Sequence, residues 1–300
     1  MRLLFIDGNN LMMRSFYANE RFVDSISRPI GAIFGGFRSL FKIAREIRPD
    51  RVFWFWDGGH SKYRKEIYPQ YKQRVKPDPN DGWDLEDFLE QVALMREYLK
   101  TLGVIQFKLP DQEADDLIYS MAKIMRGEEI VIASADRDFY QLLSDEHKVK
   151  IYSLKDNTVI DANKFIQKYR LMPSQWQLVR AIEGDASDNI KGVPGYGPVR
   201  ALEIVQGAGN FSRLAETVEK RTPKLAAAML ENLAVVERNI KLIDLSKFPQ
   251  GLIDYDKLAI QLEDGLRLKF NKEAFWKICE EHHFNSLLAE NFDWEHVYAS

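Results

Sequence analysis

The sequence predicts an α/β fold in which a central, mostly parallel sheet is flanked by helices and followed by a helical region. Short apolar runs typical of buried strands alternate with apolar residues at helical spacing in the first part of the chain. Further along, the strand-like runs fade and helical patterns with Gly-rich joints replace them. We therefore predict a sheet-containing core at 1–165 and a helical region at 166–300.

Short apolar runs predict the strands of the sheet. Three of them, Leu3–Ile6, Val52–Trp56 and Ile130–Ala133, read as buried strands. Two further runs, Val149–Leu154 and Thr158–Ile160, are joined by a turn sequence and predict a hairpin at the end of the core.

Apolar residues at intervals of three and four predict three helices between these strands. The first carries its stripe from Ile33 to Ile47 and ends before Pro49. The second carries a stripe from Leu85 to Leu102, and the third runs from about Gln112 to Met125.

The composition is that of a soluble globular protein, with 45% hydrophobic and 29% charged residues in 300. Cys279 is the single cysteine, so no internal disulfide forms; we expect it to be buried and the protein to be cytoplasmic. The first apolar run is interrupted at once by Asp7, so we expect neither a signal peptide nor contact with a membrane.

Acidic residues mark the ends of the predicted elements. Asp7 and Asp57 each end an apolar run, and Asp136 and Asp138 follow a third. The carboxyl ends of parallel strands share one edge of a sheet, so these side chains should lie close together. The remaining acids of the set open the third helix or lie in the motif Gly-Asp-Ala-Ser-Asp-Asn-Ile, and they are Glu113, Asp115, Asp116, Asp185 and Asp188.

Nine converging carboxylates would repel one another too strongly to coexist without cations. Oxygen ligands without a His or Cys cluster indicate Mg²⁺, with Mn²⁺ as a substitute. Each cluster alone has an ordinary explanation as a turn, a cap or a partner of a helix dipole. Their coincidence at five element ends favours a two-metal phosphodiester hydrolase.

The net charge of −3 hides a local concentration of positive charge. Without the nine candidate ligands, 36 acids face 42 Lys and Arg residues. The stretch from His60 to Lys76 interleaves three tyrosines with its cations, an arrangement that suits single-stranded nucleic acid, although a solvated charged surface is the alternative.

A second candidate contact is the Gly-rich segment 192–198, whose outward N–H groups would bind a phosphate unless it is a plain surface loop.

Together these motifs resemble the 5′ nuclease family, the flap endonucleases and 5′–3′ exonucleases. The matching pieces are Phe5-Ile6-Asp7-Gly8-Asn9, Phe55-Trp56-Asp57, Tyr63-Arg64, Tyr71-Lys72, Glu113-Ala114-Asp115-Asp116, Ser134-Ala135-Asp136-Arg137-Asp138-Phe139 and Gly184-Asp185-Ala186-Ser187-Asp188-Asn189-Ile190. Their order and approximate spacing agree over most of residues 1–205.

The resemblance implies a PIN-like nuclease core and a helix-three-turn-helix DNA-binding element at about 178–205. It implies hydrolysis near 5′ ends of flap, nicked or gapped DNA, and of RNA primers in RNA/DNA hybrids, in replication or repair. No polymerase-like segment follows, so the resemblance is to stand-alone enzymes of phage or bacterial type, acting as monomers.

The same resemblance assigns site residues. Asp7, Asp57, Glu113, Asp115 and Asp116 match one metal group, and Asp136, Asp138, Asp185 and Asp188 match the other. Lys72 matches an active-site lysine, Arg64 a residue that contacts the scissile phosphate, and 59–83 the arch through which a 5′ end passes. K⁺ is implied at the helix-hairpin-helix turn. The nucleic-acid contacts are Arg64, Tyr71, Lys72, Arg74, Lys76, Lys191, Gly192, Gly195, Gly197 and Arg200.

One departure from the family pattern lies in the hairpin, where Val199 replaces a phosphate-binding lysine and Arg200 follows it. Two alternatives stay open at this point, a catalytically decayed DNA-structure-binding protein and a PIN-type ribonuclease. A phosphatase with an aspartate nucleophile is disfavoured because Asn9 stands where that chemistry needs its second acid.

Overall fold

A computed structural model describes residues 1–24, 26–73, 85–289, 294 and 297. A six-stranded sheet forms the centre, in the order β3-β2-β1-β4-β5-β6. The first five strands pair in parallel, and β6 is antiparallel to β5. The strands are β1 (Arg2–Asp7), β2 (Arg51–Phe55), β3 (Ile105–Phe107), β4 (Glu129–Ser134), β5 (Val149–Ser153) and β6 (Thr158–Ile160).

Helices cover both faces of this sheet. Those of the first part of the chain are α1 (Gly8–Ala18), α2 (Gly31–Ile47), α3 (Lys62–Ile67), α4 (Leu85–Thr101), α5 (Ala114–Ile124) and α6 (Ala162–Tyr169). Alternate residues of β1 face two different cores: Leu3 and Phe5 pack with α5, whereas Leu4 and Ile6 pack with α1 and α2. A strand buried on both faces reads as a continuous apolar run, which is why β1 was recognisable.

The rest of the chain is mostly helical. Its elements are α7 (Trp176–Glu183), β7 (Gly184–Asp185), β8 (Ile190–Lys191), α8 (Pro198–Ala208), α9 (Leu214–Val218), α10 (Pro223–Glu231), α11 (Leu233–Ile243), α12 (Tyr255–Arg267), α13 (Lys272–Glu281) and α14 (Asn285–Ala289). The antiparallel pair β7-β8 depends on two glycines. Gly184 has φ +80°, and a Cβ on Gly192 would lie 2.1 Å from the Glu183 carbonyl oxygen.

The predicted strands and helices are found close to their expected bounds, and β1 lies between β2 and β4 as the shared edge requires. Helix α1 and strand β3 are among the elements that were not predicted. Helix α1 begins with Gly8-Asn9-Asn10, residues that favour turns, and it forms because the Asp7 side chain accepts the Asn10 N–H as an N-cap. Strand β3 has three residues, too few for a periodic pattern.

The C-terminal helices return to the sheet-containing core. Helix α12 packs on β3, and α13 packs against α4. The Trp294 indole N–H donates to the Leu102 carbonyl at 2.8 Å, and Cys279 is fully buried, as predicted. None of the helices in the described residues is long and apolar enough to cross a membrane.

A buried amide ties α11 to the β7-β8 pair. The Asn239 side-chain NH₂ donates to the carbonyls of Ala181 and Lys191, both at 2.8 Å. We predict that Asn239→Ala lowers the free energy of unfolding by about 2 kcal/mol, because two carbonyl groups lose a buried donor. Urea unfolding measures this value. Asn163→Ala is the control: it removes an exposed hydrogen bond and should cost less than about 0.5 kcal/mol, and an equal loss in both variants would contradict the prediction.

Candidate active site

Three acids meet at the carboxyl edge of the sheet. Asp7 is the last residue of β1, Asp57 follows β2, and Asp136 follows β4. Since β1 pairs in parallel with both β2 and β4, the three strand ends are neighbours. The structure therefore brings these side chains together at one rim, as the sequence indicated.

Two asparagines that follow Asp7 connect the strand ends at the rim by hydrogen bonds. The Asp57 N–H donates to Asn9 Oδ1 at 3.2 Å, and the Ala135 N–H donates to Asn10 Oδ1 at 3.1 Å. Residues at the start of α1 thus hold the ends of β2 and β4 on either side of β1. The motif that contains Asn9 was recognised from the sequence, but this bracing role was not.

The rim carboxylates are buried or half-buried and repel one another. Burial raises the pKa of Asp7 to about 7, with smaller contributions from the charges of Asp57 and Asp136, and a 2.7 Å hydrogen bond from Ser134 opposes the shift. Burial and the charges of Asp7 and Asp136 also raise the pKa of Asp115 well above its ordinary value. Asp115 at the start of α5 therefore faces the same cluster.

The start of α5 is fastened to the rim through Asp57. Its carboxylate accepts the Ala114 N–H at 2.8 Å, which orients the first helical turn. The next acids then diverge: Asp115 is half-buried at the rim, whereas Asp116 is completely buried. The prediction that one of these two acids turns inward is correct for Asp116.

Asp116 and Arg64 form a buried ion pair. The Arg64 Nη1 and Nη2 atoms lie 2.6 and 2.7 Å from the two Asp116 oxygens, and Nε donates to the Leu242 carbonyl at 2.9 Å. Only 3% of Arg64 is exposed. This arrangement differs from the expectation that Arg64 contacts a phosphate and that Asp116 binds a metal, because each side chain already satisfies the other. Arg64 instead ties α3 to α5 and α11.

Lys72 lies between the two groups of acids. Its Nζ is 3.1 Å from Glu113 Oε2 and 3.9 Å from Asp188 Oδ1. Its backbone is in the left-handed region, with φ +49°, and its N–H donates to the Asp188 carbonyl at 2.9 Å. Tyr71 adds a 2.8 Å hydrogen bond from its hydroxyl to Glu113. The structure thus places Lys72 at the rim with a backbone held in an uncommon conformation.

Two of the remaining acids, Asp138 and Asp185, contact Arg180 of α7, which the sequence did not indicate. Its Nε lies 2.6 Å from Asp138 Oδ1, its Nη2 contacts Asp185, and its Nη1 is 3.1 Å from Glu183. Burial raises the pKa of Asp138 to about 7, with Asp136 adding to the shift and Arg180 opposing it. Arg180 lies in none of the motifs quoted above. Only its position three residues before the Glu183-Gly184-Asp185 turn could have indicated that it contacts these acids.

The oxygen-rich donor set fits hard divalent cations. Within the described ranges, no three His, Cys, Asp or Glu side chains converge as a ready-made cage. The charge of Asp136 nevertheless raises the pKa of Asp7, and the charges of Asp7 and Asp136 raise the pKa of Asp115, in addition to the larger effect of burial. Divalent ions would relieve that repulsion, and oxygen donors without imidazole or thiolate suit Mg²⁺ or Mn²⁺.

The predicted nucleic-acid contacts beyond the rim occupy the turn between β8 and α8. Lys191, Gly195 and Gly197 are exposed, Val199 is 69% exposed, and Arg200 donates to the Gly195 carbonyl at 3.0 Å. Gly192 differs from this group: it packs against the Glu183 carbonyl, so close approach of two backbones explains its identity. The candidates Arg74 and Lys76, with most of the second half of the 59–83 segment, lie outside the described residues.

Removal of the Arg180 guanidinium would leave Asp138 and Asp185 without their cation. We predict that Arg180→Met lowers the free energy of unfolding in EDTA by about 3 kcal/mol, the cost of breaking a largely buried ion pair. Saturating Mg²⁺ should recover more stability in the variant than in the wild type, which thermal unfolding with and without Mg²⁺ measures.

The control for this measurement is Arg137→Met, whose half-exposed guanidinium reaches only Glu183 among these acids. It should cost less than about 1 kcal/mol. An Arg180→Met protein as stable as the wild type in EDTA would show that the guanidinium does not stabilise these carboxylates.

Comparison with known proteins agrees with this architecture. A model of the 5′–3′ exonuclease N-terminal, resolvase-like domain matches residues 2–170, and a model of the 5′–3′ exonuclease C-terminal SAM fold matches residues 171–265. The bacteriophage T5 D15 protein co-crystallised with metal ions has a TM-score of 0.71 and 22% identity, over 89% of this chain and 99% of that chain. The T5 D15 flap endonuclease in complex with DNA and metal ions has a TM-score of 0.70 and 24% identity, over the same shares.

Curated relatives match nearly the whole chain. Thermostable DNA polymerase I of Thermus caldophilus is 35% identical over 292 residues, and DNA polymerase I of Mycobacterium tuberculosis is 30% identical over 299 residues. These alignments cover 96% and 97% of this chain, which spans about a third of the length of the relatives, 33% and 31% respectively. The predicted fold class and the resemblance drawn from the motifs are confirmed, and the chain belongs to the 5′–3′ exonuclease family.

Proposed function

We propose that this chain is a structure-specific, divalent-metal-dependent 5′ nuclease that hydrolyses phosphodiesters near the 5′ ends of flap, nicked or gapped DNA. The observation that carries the proposal is the single rim at which Asp7, Asp57, Asp115 and Asp136 meet, with Lys72 beside them. Membership of the 5′–3′ exonuclease family and the DNA and metal ions named for the T5 structure support it.

The acids would hold the metal ions in two groups. Asp7, Asp57, Asp115 and Asp136 are the rim group. In the second group, Asp138 and Asp185 are paired with Arg180 of α7, and Asp188 lies beside Lys72. Divalent ions held by these acids would supply a nucleophilic hydroxide at neutral pH and would stabilise the leaving 3′ oxygen. Glu113 contributes to the site by positioning the Lys72 ammonium, which lies 3.1 Å from its carboxylate. Asp116 contributes by its ion pair with Arg64.

Among the described residues, Lys72 is the cation placed to act on the substrate. Its Nζ lies between Glu113 and Asp188 and would offer a positive charge to a phosphate at the rim as negative charge develops there. The left-handed backbone and the hydrogen bond to the Asp188 carbonyl fix its position. Arg64, in contrast, is a positioning residue that anchors α3.

DNA would lie across the turn between β8 and α8, with its 5′ end directed over the rim. The exposed N–H groups near Gly195 and Gly197 and the charges of Lys191 and Arg200 suit a phosphate backbone, with K⁺ at the same turn. Arg200 stands one position after the exposed Val199 and keeps one positive charge at this turn.

Several finer properties belong to the same proposal. Mg²⁺ is the working ion and Mn²⁺ substitutes for it, because both accept oxygen ligands. RNA/DNA hybrids are further substrates, since chemistry at the phosphate does not require a particular sugar. The protein acts as a monomer in replication or repair, and its one cysteine, buried Cys279, suits the reducing cytoplasm.

Cleavage of a 5′-flap duplex tests the function. We predict products near the junction of single strand and duplex with Mg²⁺ and none with EDTA, when the flap strand is labelled at either end. Asp136→Asn should lower the single-turnover rate by at least about 100-fold, because one charged member of the rim group is lost. The same variant should gain less thermal stability from Mg²⁺ than the wild type.

The outcomes separate the alternatives. Tight binding of the flap duplex without cleavage in Mg²⁺ or Mn²⁺ would favour a decayed DNA-structure-binding protein. Cleavage of an RNA strand alone would favour a PIN-type ribonuclease. A wild-type cleavage rate in Asp136→Asn would show that the rim carboxylates do not take part in catalysis.

Lys72 should affect the chemical step more than binding. We predict that Lys72→Ala lowers the single-turnover cleavage rate by about 100-fold, because a fixed charge near the reacting phosphate is lost, while the Kd for the flap duplex in Ca²⁺ changes little. Rapid-quench cleavage and fluorescence anisotropy measure the two quantities.

The matched control is Lys257→Ala, which removes another lysine paired with a carboxylate, at 2.9 Å from Asp254, on the exposed side of α12. It should leave both quantities unchanged. If Lys72→Ala cleaves at the wild-type rate, or loses rate and affinity equally, the assigned role is wrong.

A further inference from the structure

A second, positively charged cavity lies beside the rim. It has a volume of about 480 Å³ and is bounded by α4, the end of β3 and α12. Trp56 and Gly58, on either side of the rim residue Asp57, form one wall, and Arg96, Lys100 and Lys108 line the others. The cavity therefore lies beside the carboxyl edge of the sheet, outside the carboxylate groups described above.

Side-chain hydrogen bonds connect the walls of this cavity. Lys108 exchanges two backbone hydrogen bonds with the Gln261 side chain, at 3.0 and 2.9 Å. Gln106 accepts the Trp56 indole N–H at 2.9 Å and donates to the Arg96 carbonyl at 2.8 Å. These contacts hold β3 against α12 on one side and against α4 on the other. The backbones of Arg96 and Lys108 take part in them, which positions both cationic side chains.

The charge in the cavity is unbalanced. In the part of the chain that the structure describes, neither Arg96 nor Lys108 has a salt bridge to a carboxylate, and Arg96 Nε is buried without a hydrogen-bond partner. The two lining acids have cations of their own: Glu97 is 2.6 Å from Lys100, and Asp264 is 3.3 Å from an arginine of α12.

The two cations also act on each other. Burial lowers the pKa of Lys108, the charge of Arg96 lowers it further, and Asp57 has a smaller opposing effect. Two like charges that share a partly buried cleft are unfavourable unless an anion joins them. A phosphate suits this position, because it accepts hydrogen bonds from a guanidinium and from an ammonium together.

We propose that this cavity binds a phosphate of the single-stranded 5′ strand after that strand has crossed the rim. The inference rests on the proposed nuclease function and names the path of its substrate. A free phosphate would satisfy the same two cations, but the position of the cavity beside Asp57 favours a phosphate of a strand that already lies on the rim.

The test compares binding of two DNAs in Ca²⁺, where cleavage does not obscure the equilibrium. One is a nicked duplex with a long 5′ single-stranded flap, and the other is the same duplex without the flap. The variants are Arg96→Met, Lys108→Met and the double variant. Kd is measured by fluorescence anisotropy over a range of salt concentrations.

For the flapped DNA, we expect the slope of log Kd against log salt to fall by about 0.7 for each cation removed, and by about 1.4 in the double variant. The unflapped duplex should keep the wild-type slope. Lys257→Met is the matched control, since Lys257 belongs to α12 but is paired with Asp254 and does not line the cavity. It should bind both DNAs like the wild type, and thermal unfolding checks that every variant is folded.

Three results would overturn the inference. An unchanged slope for the flapped DNA would show that no phosphate of the strand occupies the cavity, and equal losses for both DNAs would place the contact on the duplex. Inorganic phosphate that protects the wild type but not the double variant against unfolding, with the flap slope unchanged, would assign the cavity to a free phosphate. The salt slopes need no cleavage, so a wild type with flap-specific slopes but no Mg²⁺-dependent cleavage would reject the nuclease function alone.

Discussion

The structure depends on one electrostatic constraint, the crowding of carboxylates at the carboxyl edge of a parallel sheet. Strand β1 lies between β2 and β4, so the acids that follow these strands cannot separate without breaking the sheet. Burial raises the pKa of Asp7 and of Asp115, and repulsion by neighbouring carboxylates raises both further. The protein meets this cost with positive side chains set around the edge, and with an oxygen-rich site that suits divalent cations.

Each of these positive side chains has a different position and a different task. Arg64 is buried against Asp116 and joins α3 to α5 and α11. Arg180 balances Asp138 and Asp185 from α7, so the helical region is attached to the sheet through the site itself. Lys72 alone of the three is partly exposed, at 22% of its side chain, and lies between the two groups of acids. The structural cations are buried, and the candidate for the chemistry remains accessible.

The same logic explains the charge outside the rim. Arg96 and Lys108 have no salt bridge to a carboxylate among the described residues, whereas Arg2 and Lys150 of the sheet are each paired with Glu129. Arg96 and Lys108 line a cavity beside Asp57, where, as proposed, a strand that lies over the rim continues. The rim and this cavity therefore form one path, in which fixed positive charges meet the phosphates that the carboxylates repel.

The sequence by itself determined the α/β class, the three central strands and the acids at their ends, because buried parallel strands leave continuous apolar runs and the acids follow them directly. It did not predict α1, β3 or Arg180. A cap at Asp7 forms α1 within a turn-like sequence, and pairing with β2 forms the three-residue β3. Tertiary structure also decided the partners of Arg64 and Asp116: a sequence shows which residues carry charge, but only packing brings two distant charges together and buries them, which separates an accessible ligand from a structural ion pair.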